Sequence, residues 1–500
     1  MLKNRLDIRL LLSAFGIFIF TIPVSVMRPL GGDESIFLYA GQTLRHGDSL
    51  YSTFYDHKGP ILYLLNSFTL IFDSNHFIVL PFIQTLLIAI SVYYLNLTLK
   101  SYGTANRIIF VINLLFFSSL ILILDSFGST ELWSLPLQLF TYCALFRLMM
   151  EKSRSFADKK LAHIISGILV GLSFAVVTLL RPNNAVGMFF ASIFVFTVSS
   201  KLVKIRFFLT AFIAALSVYL LIAIYVIESG SSSEFIKQFI FYNLDYASGY
   251  GYSEKIMGFA LLAFKAIAIP LILGICTCSI LLYRRFTMVQ VFLFAIVITD
   301  FLSQSISGHG ARAYLVAILA GTVICLGSLF VNENREITST VIKTLSLLLL
   351  FSFVTQFSID TFAANWHLGH REQKAAAVYL GENSNSDTSI YFYGGQVAPM
   401  VIAHRRSISR FIFLAPVLSK FSRNQQAMAS ELTTTVENGK PQIIVRDPSS
   451  CPFDSQICYD GDSRYFSENV ALNSLRKWIF ENYTLKDTVA GVEFWYPTKV

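Results

Sequence analysis

Residues 17–34 read Ile17-Phe18-Ile19-Phe20-Thr21-Ile22-Pro23-Val24-Ser25-Val26-Met27-Arg28-Pro29-Leu30-Gly31-Gly32-Asp33-Glu34, an apolar run that passes into an acidic loop. A secretory leader would be shorter and would end on a small-residue cleavage site, so this run is expected to stay in the chain as a first membrane span over 10–29. The rest of the chain has the same character. Of 500 residues, 54% are hydrophobic and 14% charged, with a mean hydropathy of +0.59, whereas soluble domains carry about a quarter charged residues. Gly 27 and Pro 13 are ordinary and Cys is only 6. Disordered, collagenous and disulfide-dense classes are therefore excluded.

Apolar segments of about 17 to 25 residues can cross a hydrocarbon core of roughly 30 Å. They are expected near 10–29, 77–99, 108–124, 131–149, 162–180, 184–200, 207–227, 256–281, 287–306, 311–331 and 338–356. Up to Asp360 the chain has 25 Lys+Arg against 18 Asp+Glu, and beyond it 14 against 13, so all but one of the formal charge of +8 belongs to the membrane part. That distribution argues against a nucleic-acid partner. The basic residues cluster in alternate short loops, among them Arg107, Arg147, Lys159, Lys160, Lys201, Arg284 and Arg285, which mark the cytoplasmic face. This puts the N-terminus inside, as in a bacterial plasma membrane, and the C-terminus outside. Counting 59–72 as a further crossing would turn the basic loops outward, so that stretch is expected to be an interfacial or re-entrant helix. Residues 162–180 and 184–200 form a hairpin turning at Arg181-Pro182-Asn183-Asn184.

After Asp360 the composition becomes soluble. Strands are expected at Ser389-Ile390-Tyr391-Phe392-Tyr393 and Gln442-Ile443-Ile444-Val445, with a helix over 431–437 between them and a further strand pair around 483–496. The fold class is thus a polytopic α-helical membrane protein of about 11 transmembrane helices, with interfacial helices in the first outer loop and a small C-terminal α/β extracytoplasmic domain. The domains are 1–359, catalytic and membrane-spanning, and 360–500, extracytoplasmic. Cys451 and Cys458 stand together in the second and are expected to pair as a disulfide, as an oxidising compartment permits. The other four Cys, Cys143, Cys276, Cys278 and Cys325, are expected to be intramembrane core residues.

Two outer loops, about 30–76 and 228–255, are longer than turns require, and long loops tend to carry function. The first holds Gly31-Gly32-Asp33-Glu34-Ser35 and then Tyr55-Asp56-His57-Lys58-Gly59-Pro60. Together these resemble the first loop of polyprenyl-phosphate-sugar-dependent glycosyltransferases of the GT-C superfamily, the group of the protein O-mannosyltransferases and the lipid A aminoarabinose transferase. There an acidic pair after the first span begins the active site, and a His-Lys-Pro-Pro-like element opens an interfacial helix; here Gly59 replaces its first Pro. Thr130-Glu131-Leu132-Trp133, Phe241-Tyr242-Asn243-Leu244-Asp245-Tyr246 and His309-Gly310-Ala311-Arg312-Ala313-Tyr314 resemble weaker family segments.

The resemblance implies a donor in which a sugar is linked to a polyprenyl phosphate, an acceptor that is a glycan, lipid or protein, and membrane lipids as surroundings. Sugar transfer needs a base at the attacking hydroxyl and cations around the departing phosphate. Asp33 is the expected base of a single inverting displacement, with Glu34 beside it. The other reading of this pair is a charge complement to a helix dipole. Lys58, His57, Arg181 and Arg312 are the candidates for the donor phosphate; Lys58 and Arg181 could equally reach for lipid headgroups. Glu131, Tyr55, Asp56, Asn243 and His309 are assigned to the acceptor or to supporting contacts. Asp33, Glu34 and His57 could hold a divalent cation, but their spacing matches no strong metal signature, so no cofactor is assigned. The alternative is a polytopic transporter or flippase of lipid-linked sugars, in which buried charges line a path. No internal repeat of the kind such proteins often carry is visible in the sequence.

Overall fold

The computed structural model describes residues 29–498 apart from 73–77, 125–126, 151–155, 199–200, 250, 268, 270, 273, 277–286, 307–310, 332–363, 395–396, 419–423 and 448–469. The expected crossings near 10–29 and 338–356, His309, and Cys451 with Cys458 lie outside the described residues.

Helices dominate. In chain order they are α1 (Gly32–Arg45), α2 (Pro60–Thr69), α3 (Val79–Ser101), α4 (Asn106–Ile123), α5 (Thr130–Met149), α6 (Phe156–Leu180), α7 (Val186–Val198), α8 (Lys201–Glu228), α9 (Tyr242–Gly249), α10 (Tyr252–Ile267), α11 (Met288–Ser305) and α12 (Val316–Ser328). Beyond these come α13 (Ala364–Glu382), α14 (Ala398–Ile402), α15 (Gln425–Gly439) and α16 (Val470–Asn482), with strands β1 (Ile390–Tyr393), β2 (Ile443–Arg446), β3 (Tyr483–Val489) and β4 (Val492–Pro497). The chain divides into two compact units. One comprises the described parts of Leu80–Ala223 and Tyr252–Phe362; the other the described parts of Met27–Val79, Ile224–Gly251 and Ala363–Val500.

Among the described residues, five segments are long and apolar enough to cross a membrane: Val79–Ser101, Asn106–Ile123, Lys160–Leu180, Ile205–Glu228 and Met288–Ser305. They match the crossings expected near 77–99, 108–124, 162–180, 207–227 and 287–306, and the chain is an integral membrane protein. The segments expected near 131–149, 184–200, 256–281 and 311–331 are helical over α5, α7, α10 and α12, but are shorter or more polar. Helix α5 lies deep in the first unit, packed against α6 and α12, and most of its side chains are buried. The Ser129 hydroxyl caps its start by accepting the Leu132 N–H at 3.2 Å.

The second unit gathers both long loops around the C-terminal segment. Helix α1 begins after Gly31, in extended conformation, and carries Asp33 and Glu34 in its first turn and Arg45 in its last, each sign matched to its end of the dipole. Helix α2 opens with Gly59 as the extended cap and Pro60 at the first helical position, where a missing N–H costs nothing. Gly59 in place of a proline therefore leaves the helix start intact. Ten residues rise about 15 Å, half of a bilayer core, so α2 does not cross one by itself. Its approach to α1 is close: a Cβ on Gly41 would stand 2.8 Å from the Ser67 backbone nitrogen.

The sheet has the order β1-β2-β4-β3. Strands β1 and β2 are parallel, with Ile390 opposite Ile443, while β2–β4 and β4–β3 are antiparallel. The β3–β4 turn places Ala490 and Gly491 at φ 51° and 80°, the two positive values that a tight hairpin turn needs. A core of Tyr391, Leu414, Leu432, Ile444, Leu475 and Trp495 also takes in Tyr55 from the first loop and Tyr242 from α9.

Candidate functional site

Consecutive residues on α1 fall on different sides of the helix surface. Asp33 is exposed, whereas Glu34 is buried and one of its carboxylate oxygens accepts the Gly31 N–H at 3.2 Å. Both carboxylates complement the helix dipole, and Glu34 in addition caps the helix start. Asp33 presents its carboxylate at the amino end of the helix.

The segment 55–58 follows in the same unit. The Tyr55 N–H donates to the Arg410 carbonyl at 2.8 Å, and its ring stacks on Phe411 at 5.4 Å. Tyr55, assigned to the acceptor or to supporting contacts, is a buried packing residue. Asp56 is also buried. Its Oδ2 accepts the Tyr63 hydroxyl at 2.8 Å, and its Oδ1 accepts the His57 N–H at 2.7 Å and lies 3.3 Å from His57 Nδ1. Burial pushes the Asp56 carboxyl up, but the hydrogen bond from His57, the charge of Lys58 and the Tyr63 hydroxyl outweigh it, holding the group below the ordinary carboxylate range. His57 and Lys58 are partly exposed, with Lys58 Nζ 2.9 Å from His57 Nε2. Asn243 donates to the His57 carbonyl at 2.6 Å and to the Phe239 carbonyl at 2.7 Å. Asn243 thus holds backbone in place.

Gln238 was not a candidate from the sequence, yet it ties this segment down. It accepts the Asp56 N–H at 3.1 Å and donates to the Tyr51 carbonyl at 3.1 Å and to Glu234 at 3.0 Å. Arg410 was missed too; it bridges Glu234 at 2.6 Å and Glu431 at 2.7 Å. Burial would push Glu234 up; hydrogen bonds from Lys237 and Gln238 and the charge of Arg410 bring it below its usual range. The signal that could have found both residues is an amide and an arginine within stretches otherwise rich in Phe and Ile.

The remaining candidates belong to the first unit. Arg181 is paired with Glu131, both nearly buried, and its guanidinium lies 4.1 Å from the centre of the Tyr314 ring. Glu131 also accepts the Thr130 hydroxyl at 2.9 Å. The turn that carries Arg181 is anchored by Asn184, which is fully buried. Asn184 donates to Ser134 at 3.0 Å, and accepts from Gln304 at 3.1 Å and, through its carbonyl, from Gln138 at 2.7 Å. Arg312 is exposed on the turn leading into α12. Asp300, buried in α11, accepts the Tyr142 hydroxyl at 2.7 Å, and Gly187 lies so close that a Cβ there would overlap it. Among the described residues, no group of three or more His, Cys, Asp or Glu side chains is arranged to hold a metal ion.

No family model and no curated protein matches the chain. Solved structures do. The crystal structure of ArnT from Cupriavidus metallidurans bound to undecaprenyl phosphate superposes with a TM-score of 0.61 at 12% identity, covering 96% of this chain and 97% of that one. The same protein in the apo state gives 0.57 at 12% identity, with 96% of each chain covered. ArnT is a lipid A aminoarabinose transferase of the GT-C fold. This chain has the GT-C fold. The likeness runs through the membrane helices and the C-terminal segment alike, so the GT-C fold here is a property of the whole chain. At 12% identity the GT-C fold carries no residue's role with it, and the roles of Asp33, Lys58 and Arg181 rest on their own chemistry.

Proposed function

We propose that this protein is a membrane glycosyltransferase of the hexosyl- or pentosyltransferase kind, which moves a sugar from a polyprenyl-phosphate carrier to a glycan, lipid or protein acceptor outside the cytoplasm. The observation that carries the reading is an exposed Asp33 at the amino end of α1, in a chain that matches ArnT over 96% of its length. That ArnT was crystallised with undecaprenyl phosphate supports a carrier of this class. The basic short loops support a cytoplasmic N-terminus, in a bacterial plasma membrane, with the site and the C-terminal segment on the far side.

In the reaction the acceptor oxygen attacks the anomeric carbon as Asp33 takes its proton. The bond from that carbon to the phosphate oxygen breaks, and the polyprenyl phosphate leaves with the electron pair. One displacement inverts the anomeric centre. A phosphate is a stable leaving anion, so no second carboxylic acid has to protonate it, unlike in a glycosidase. Glu34 supports α1 beside the base. Lys58 supplies positive charge for the phosphate, and Arg181 and Arg312 are the further candidates, each to be tested singly.

The test is transfer from a purified polyprenyl-phosphate sugar to candidate acceptors, with wild type and Asp33→Asn. Removing a general base is expected to slow transfer by at least about 100-fold. An Asp33→Asn protein that inserts, folds and transfers at the wild-type rate would remove Asp33 from the mechanism.

A further inference from the structure

Lys58 is a flexible side chain on a loop, and a cation that must meet a phosphate gains from being aimed before the phosphate arrives. The contacts around it do this in one direction. Its ammonium has hydrogens to give and no lone pair, so the 2.9 Å contact to His57 Nε2 requires that nitrogen to be the acceptor. The ring proton then sits on Nδ1, the nitrogen 3.3 Å from Asp56 Oδ1. Asp56 is in turn held by the Tyr63 hydroxyl and, through its backbone N–H, by Gln238. The imidazole plane is set as well, stacked on Tyr242 at 5.2 Å and on Tyr246 at 5.6 Å, while Asn243 grips the His57 carbonyl. The Lys58 carbonyl accepts the Tyr51 hydroxyl at 2.7 Å. Backbone and imidazole are thus fixed on either side of the lysine, and only its own side chain remains to be directed.

We propose that Asp56 and His57 form a positioning pair whose work is to aim the Lys58 ammonium, and that His57 itself does not contact the donor. This rests on the reading of Lys58 as a cation for the donor phosphate. It changes the place of His57, which the sequence groups with the phosphate-binding residues. A neutral Nδ1–H imidazole accepts from Lys58 at Nε2 and has no hydrogen on that nitrogen to give to a phosphate.

The experiment uses the full chain in proteoliposomes, with a purified polyprenyl-phosphate sugar as donor, and compares kcat and donor KM in wild type, His57→Ala, His57→Gln, Lys58→Ala and the His57→Ala/Lys58→Ala double variant. Loss of one charge-assisted hydrogen bond is expected to raise the donor KM about tenfold in His57→Ala, with kcat within about twofold. His57→Gln, whose amide oxygen can accept from Lys58, is expected to recover most of that loss. In the Lys58→Ala background, His57→Ala is expected to add nothing. A full tenfold effect of His57→Ala without Lys58 would overturn the proposal, because His57 would then be acting on the donor directly; the transfer reading would survive. A second measurement does not depend on turnover. In protein labelled with 15N-histidine, with His57→Gln to assign the resonance, His57 is expected as the Nδ1–H tautomer, and Asp56→Asn is expected to shift it toward Nε2–H. An Nε2–H tautomer in wild type overturns the pair. Failure of wild type to transfer, with the Nδ1–H tautomer present, counts against the transferase reading and leaves the aiming of Lys58 standing.

Discussion

Asp33 and Glu34 differ by a rotation of about 100° around one helix axis, and that rotation divides their work. Glu34 turns inward and accepts the Gly31 N–H, so Glu34→Ala is expected to cost roughly 1 kcal/mol of stability, read as a lower Tm, with Glu34→Gln costing less because its amide oxygen still accepts. Asp56 is a buried carboxylate held below its ordinary pKa by His57, Lys58 and Tyr63. A carboxyl depressed in the folded state contributes stability that is fully present above its unfolded value and is lost as pH falls through its folded value. Thermal unfolding of wild type should therefore weaken below about pH 4 more steeply than that of Asp56→Asn, which has no proton to take up. Equal slopes for the two proteins would mean that Asp56 is not held in this way.

The elements show how much a short sequence signal can fix by itself. Pro60 after Gly59 starts α2 because proline is pre-shaped for the first helical position, and Ser129 starts α5 through its hydroxyl. Ser129→Ala is expected to destabilise the protein by about 1 kcal/mol, measured as a shift in the unfolding midpoint. Helix crossings depend instead on what is absent. Gly167 and Gly171 lie one turn apart on α6, and a Cβ on Gly171 would stand 2.1 Å from the Ala211 carbonyl oxygen of α8. That oxygen belongs to helix backbone and cannot swing aside, so Gly171→Leu should force α6 and α8 apart, at a cost of about 1–3 kcal/mol. A cysteine pair placed across this crossing should cross-link less efficiently in the variant than in its absence.

In the molecule as a whole, the second unit is built from stretches far apart in the chain. Arg410 joins Glu234 to Glu431, Gln373 donates to and accepts from the Leu30 backbone at 3.0 and 2.8 Å, and Tyr55 and Tyr242 enter the core of the C-terminal segment. Arg410→Ala leaves Glu234 partly buried without this cation and is expected to cost about 1–3 kcal/mol. Proteolysis within 224–251 should quicken in parallel; cleavage at the wild-type rate would show that Arg410 does not hold this loop. A chain ending near residue 362 would uncover Tyr55 and Tyr242 and is expected to lose protease resistance in its first loop as well.

What could be read from the chain alone was local. Five apolar stretches, two core strands, the β3–β4 pair, the helix over 431–437 and the charge pair at the head of α1 all follow from hydropathy, side-chain period and capping within some twenty residues. The first-loop pattern also pointed to the GT-C fold, because acidic and His-Lys elements are short motifs. Tertiary structure alone decided which carboxylate faces solvent, that Tyr55 packs into the C-terminal core, and that Gln238 and Arg410 hold the segment around His57. The partners there are 182 residues apart for Asp56 with Gln238 and 176 for Glu234 with Arg410. A hydrogen bond reaches about 3 Å, so no property of either residue's sequence neighbourhood specifies a partner that only the folded chain brings within range.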